Sequence, residues 1–76
     1  MISKELEYIL SIYLDISVDD NSNITMHTTK NWDSLRHIEI IMAVEQHFNI
    51  QFSTEDIPNL DSKDKLLKRI KELKNV

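Results

Sequence analysis

Ser34-Leu35-Arg36-His37-Ile38-Glu39-Ile40-Ile41-Met42-Ala43-Val44-Glu45-Gln46-His47-Phe48, followed by Asn49, is the stretch that decides the fold. At about 100° per residue, Ile40, Ile41, Val44 and Phe48 fall on one broad arc of a helix. Leu35, Ile38 and Met42 fall on a second arc beside it, so apolar side chains cover more than half the circumference. A small bundle packs only one stripe of each helix. The second arc therefore either lies under a neighbouring loop or stays exposed, and an exposed apolar stripe usually marks a binding surface. Asn49 is the expected left-handed cap at the helix end. The chain has no glycine, so turns that need positive φ must fall on Asn or Asp.

Toward the C-terminus, Ile50-Gln51-Phe52 reads as a short extended connector. Ser53-Thr54-Glu55-Asp56 resembles a capping box opening a short helical turn, which Pro58 limits. A last helix is predicted over residues 62–73, with Asp61 as its cap and Leu66, Ile70 and Leu73 as its stripe. Toward the N-terminus, residues 15–33 form a long polar segment with Asp19-Asp20-Asn21-Ser22-Asn23 at its middle. Its Ile16, Val18, Ile24 and Met26 follow neither the helix nor the strand period and are expected to pin it to the core. A loop this long in a small domain is often functional. Before it, Leu6, Ile9, Leu10 and Tyr13 repeat at helical spacing, predicting a helix over residues 3–14 with Ser3 as its N-cap. The expected fold is all-α: a small up-and-down bundle of three main helices and one short one, forming a single domain over residues 1–76. Ile41, Val44, Phe48, Leu66 and Ile70 are expected in its core.

Composition narrows the chemistry. There is no cysteine, so no disulfide forms and any thiol chemistry must come from a cofactor. Residues 1–61 hold 11 acidic and 3 basic side chains; residues 62–76 hold 6 basic and 2 acidic ones. The acidic body would repel nucleic-acid phosphates. The basic tail alternates with leucines and reads as a solvated helix face. The first residues lack the pattern of a signal peptide, and no apolar run approaches the ~20 residues that span a bilayer. A cytoplasmic monomer without stable membrane insertion is expected.

His27, His37 and His47 lie ten residues apart and form no metal-ligand pattern, so no metal site is expected. Asp33 and His37 could face each other across one turn with Ser34 nearby, which invites a Ser-His-Asp hydrolase reading. No oxyanion hole is evident, and no glycine lets a backbone approach a substrate. No catalytic residue is assigned. Trp32 reads as a lid on the edge of the core. Ser34, in the first turn of the central helix, is by default a helix cap. The free N–H groups and dipole of a helix N-terminus also favour an attached anion. Asp33 could take over the cap and leave Ser34 free.

Trp32-Asp33-Ser34-Leu35 resembles the Asp-Ser-Leu signature of acyl carrier proteins. The helix after it resembles that family's recognition helix, with Glu39, Ile40, Met42, Ala43, Val44, Glu45 and Phe48 at positions of matching type. The resemblance extends over nearly the whole chain, including the long first loop and the short helix near residues 54–57. It implies that a phosphopantetheinyl transferase moves 4′-phosphopantetheine from coenzyme A to Ser34, flanked by Asp33 and Leu35. Acyl groups would then ride on the arm as thioesters, and a cavity lined by core residues would shelter the acyl chain. Leu35, Arg36, Ile38, Glu39, Met42 and Glu45 would meet partner enzymes that load and transfer acyl or aminoacyl groups.

Two departures from the family pattern stand out. Asn31-Trp32 replaces the usual glycine before the signature, and Arg36-His37 stands where the family often has an acidic residue. Arg36 and His37 weaken the negative field beside the arm, which speaks against exchange with housekeeping fatty-acid synthesis enzymes. Carriers with Trp-Asp-Ser-Leu resemble the freestanding ones dedicated to specialised pathways, such as surface glycan modification or secondary metabolism. A peptidyl or aminoacyl carrier is the alternative within the carriers. A non-carrier helical module binding a partner helix through Leu35, Ile38 and Met42 is the alternative outside them.

Overall fold

A computed structural model describes residues 1–75. Its elements in chain order are α1 (Ile2–Leu14), α2 (Ser34–Phe48), a 3-10 turn (Ile57–Asn59) and α3 (Lys63–Lys74). No strand forms among the described residues; one isolated antiparallel bridge joins Thr25 to Ser62. The all-helical architecture is the one predicted.

α1 packs against both α2 and α3. Leu6, Leu10 and Leu14 of α1, Ile40 and Val44 of α2, and Leu66 and Ile70 of α3 are fully buried against one another. Phe48 and Ile41 complete the expected core. Trp32, Phe52 and Leu60, all outside the helices, are buried with them, so the connectors supply part of the core. Leu73, in the last turn of α3, does not join the buried stripe, which ends at Ile70: it is 38% exposed.

The helix ends follow from the absence of glycine. Asp15, Asn49 and Asn75 adopt left-handed φ of 56°, 56° and 62° as the C-caps of the three helices. Two predicted N-caps are corrected. α1 begins at Ile2 because the Met1 carbonyl accepts the Glu5 N–H at 3.1 Å, placing Ser3 inside the first turn. At α3 the cap is Ser62, whose hydroxyl accepts the Lys65 N–H at 3.1 Å, and not Asp61. The Asp61 carboxylate instead takes the Lys65 ammonium at 3.1 Å, a hydrogen bond that holds its carboxyl below the usual range. The short helix also shifts. Residues 54–56 form a turn, with the Asp56 N–H bonded to the Ser53 carbonyl at 3.0 Å, and the 3-10 turn that follows contains Pro58 instead of ending at it. A proline in the first turn loses no hydrogen bond there.

The long segment 15–33 is tied down at three places. Asn31 Nδ2 donates to the Leu14 carbonyl at 2.8 Å. Met26 N–H donates to the Asp61 carbonyl at 2.8 Å, and Lys63 N–H to the Ile24 carbonyl at 3.0 Å. The Lys63 ammonium bonds the Asp19 carbonyl and lies 3.1 Å from Glu7 Oε2. Glu7 and Lys63 are both more than nine-tenths buried, so this ion pair joins α1, the loop and α3 from inside. Lys63 is thus an exception to the solvated basic face expected of the tail; Lys65, Lys68 and Lys71 conform to it.

Candidate functional site

Ser34 is the first residue of α2, and its place there is set by Asp33. Asp33 has extended backbone, φ −101° and ψ −175°, and its Oδ1 accepts the Arg36 N–H at 2.8 Å. Asp33 is therefore the N-cap, and the Ser34 hydroxyl is not needed for that task. Ser34 is exposed at the helix start, where unpaired N–H groups and the positive end of the dipole converge.

The second arc of α2 stays uncovered. Leu35 is 73% exposed, Met42 63% and Ile38 47%, while Ile24 and Met26 of the loop are turned partly into the core instead. Leu35, Ile38 and Met42 thus form a stripe running from Ser34 along the helix. Arg36 and Glu39 flank it as an ion pair at 3.1 Å, both about two-fifths exposed, so their charges largely cancel. Glu45, lower on the helix, is half-buried, and its Oε2 accepts the Phe52 N–H at 2.8 Å. One of its oxygens is thus committed to holding the connector after α2. Its spacing on the helix wheel carries no mark of this use.

Beside Ser34 opens a cleft of about 280 Å³ lined by Met26, Ser34, His37, Ile38, Ile57 and Pro58. It lies at the bundle's rim, between the first turns of α2 and the 3-10 turn, while the central core residues remain closed to solvent.

His37 does not lie on the surface beside Arg36, where it was expected to weaken the local field. It is 5% exposed, and both ring nitrogens are engaged. Trp32 Nε1–H donates to Nδ1 at 3.0 Å, and Nε2 bonds the Ile57 carbonyl at 2.8 Å. The two rings sit 5.9 Å apart. With Asp33 capping the helix and neither imidazole nitrogen free, Asp33, Ser34 and His37 do not assemble a proton relay. Trp32, 2% exposed, is a full core residue as well as a lid, because its one polar atom is satisfied by His37. His27 and His47 are elsewhere, paired with Asp61 at 3.4 Å and Glu5 at 3.0 Å. Among the described residues no three His, Asp or Glu side chains are grouped to hold a metal, and no helix is long and apolar enough to cross a membrane.

No protein-family profile matches the chain. Among curated proteins it is 34% identical over 65 residues to the Acyl carrier protein of Buchnera aphidicola subsp. Schizaphis graminum (strain Sg), an overlap of 84% of this chain and 82% of that protein.

Proposed function

The chain belongs to the acyl carrier protein family, and from that premise we propose that it carries acyl groups as thioesters on a 4′-phosphopantetheine arm attached to Ser34. The observation that carries this reading is the division of labour at the start of α2: Asp33 caps the helix, and Ser34 is left exposed. In the attachment step the Ser34 hydroxyl gives up its proton and forms an ester with phosphorus, while the phosphoanhydride bond of coenzyme A breaks and the nucleotide half leaves. The helix N-terminus then stabilises the new phosphodiester through its N–H groups and dipole. The arm supplies the thiol that a chain without cysteine lacks. Met26, Ile38, Ile57 and Pro58 offer apolar walls to the part of the arm nearest Ser34.

The partners under this reading are a phosphopantetheinyl transferase and enzymes that load and transfer acyl or aminoacyl groups. They dock on Leu35, Ile38 and Met42, with Arg36, Glu39 and Glu45 at the rim. The cancelled Arg36–Glu39 charges favour partners less basic than those suited to an acidic recognition helix. That supports a specialised pathway over housekeeping fatty-acid synthesis. The test is labelling with a fluorescent coenzyme A derivative and several transferases. Wild type is expected to gain fluorescence on a denaturing gel and Ser34→Ala to gain none. Labelling of Ser34→Ala, or of neither protein, would reject Ser34 as the attachment site.

A further inference from the structure

The partners of His37 fix the state of its ring. An indole N–H can only donate, so Nδ1, 3.0 Å from Trp32 Nε1, is the unprotonated acceptor. A backbone carbonyl can only accept, so Nε2, 2.8 Å from the Ile57 oxygen, carries the hydrogen. The imidazole is therefore the neutral Nε2–H tautomer; a second proton would set one N–H against another at Trp32. The same Ile57 oxygen accepts the Leu60 N–H at 3.2 Å, the bond that closes the 3-10 turn. Holding this one oxygen holds the turn, and Ile57 and Pro58 of the turn face Ser34 and Ile38 across the cleft. On the other side the bond reaches Trp32, which is buried two residues before Ser34. A single buried side chain thus joins the Trp32 indole just before α2, the first turn of α2 and the turn preceding α3.

We infer that His37 is a positioning residue for Ser34. Its Nε2–H bond to Ile57 keeps the 3-10 turn at a fixed distance from the first turn of α2, so that Ser34 and its cleft meet the modifying enzyme in one geometry. This rests on the reading of Ser34 as the attachment site. His37 takes no proton from Ser34, because neither nitrogen is free. Its loss therefore leaves the chemical step alone and weakens recognition, raising KM while kcat holds.

Two amide substitutions separate the two bonds. In His37→Gln the amide reaches about as far as Nε2 and can still donate to Ile57. In His37→Asn the amide stops near the position of Nδ1 and can still accept from Trp32. The experiment combines nuclear magnetic resonance of the full chain with transferase kinetics using coenzyme A. Wild type is expected to show one protonated and one unprotonated ring nitrogen, with the hydrogen on Nε2. His37→Asn is expected to speed amide exchange at Leu60 about tenfold, the weight of one buried hydrogen bond, with the increase confined to residues 57–60. It should raise the transferase KM for the carrier about fivefold with kcat within about twofold, and His37→Gln should restore both readings toward wild type. An Nδ1–H tautomer, a rise in exchange spread over the whole chain, or the same KM in both variants would overturn the inference. Failure of the Ser34 reading looks different: no variant, and not the wild type, would be modified at all.

Discussion

The two faces of α2 bear similar side chains and meet opposite fates. Ile40, Ile41, Val44 and Phe48 are at most 5% exposed, whereas Leu35, Ile38 and Met42 are 47–73% exposed. Hydrophobicity does not separate them; the supply of neighbours does. α1 and α3 pack against each other as well as around the inner face. Residues 15–33 are anchored on the end of α1 through Asn31, on the start of α3 through Ile24 and Met26, and on Lys63 of the buried Glu7–Lys63 pair through Asp19. Of them only Met26 lines the cleft beside Ile38. The buried Glu7–Lys63 pair fixes the loop at Asp19, and Leu35 and Met42 stay exposed. Under the proposed carrier function, this uncovered apolar surface beside the exposed Ser34 is where partner enzymes would dock.

The difference between the faces is expected to appear most strongly in stability. Phe48→Ala removes a buried ring and leaves a cavity, and should destabilise the fold by about 3–5 kcal/mol in denaturant unfolding. Melting within a few degrees of wild type would mean that the inner face has been misidentified. Leu35→Ala and Met42→Ala should change stability by less than about 0.5 kcal/mol, since they delete little buried contact. Each should instead lower kcat/KM for loading of the holo protein about tenfold, as truncation of an interface anchor does. If they destabilise the fold as Phe48→Ala does, the outer face is core and not a docking surface.

Within the outer face, Arg36→Asp separates charge from apolar contact. The Arg36–Glu39 pair is exposed and three residues apart, worth only a few tenths of a kcal/mol, so melting should barely move. Partner choice should move more, through encounter rates that depend on salt. Acceptance by housekeeping fatty-acid enzymes should improve, and acceptance by the dedicated loading enzyme should fall, with both effects shrinking at moderate salt. Equal loading of wild type and Arg36→Asp by both enzyme classes would leave no case for a specialised rim.

Much of this was readable in the chain. The helical period of α2, the left-handed Asn49 and the Asp33-Ser34 start are local features, and local features survive into the fold. The choice between covered and exposed for Leu35, Ile38 and Met42 was not readable, because it depends on where residues 15–33 are anchored. That anchoring rests on Lys63 and Glu7, fifty-six positions apart and each indistinguishable in sequence from a solvated charge. His37 misled for the same reason. Its neighbour Arg36 is a surface residue, but Trp32 and the Ile57 carbonyl draw His37 inward, and a backbone carbonyl twenty residues away leaves no mark in composition. Asp61 reads as the cap of α3 from local pattern alone, but Ser62, extended where it bridges to Thr25, is the residue whose hydroxyl takes the Lys65 N–H.

Under the proposed function Ser34, and not another hydroxyl, bears the arm. Its most direct test is intact and tandem mass spectrometry of the protein purified from its native host. The expected result is a mass increase of one phosphopantetheinyl group, mapped to the peptide containing Trp32-Asp33-Ser34-Leu35 and lost in Ser34→Ala. An unmodified chain in cells whose other carriers are modified, or the group found on a different residue, would contradict it.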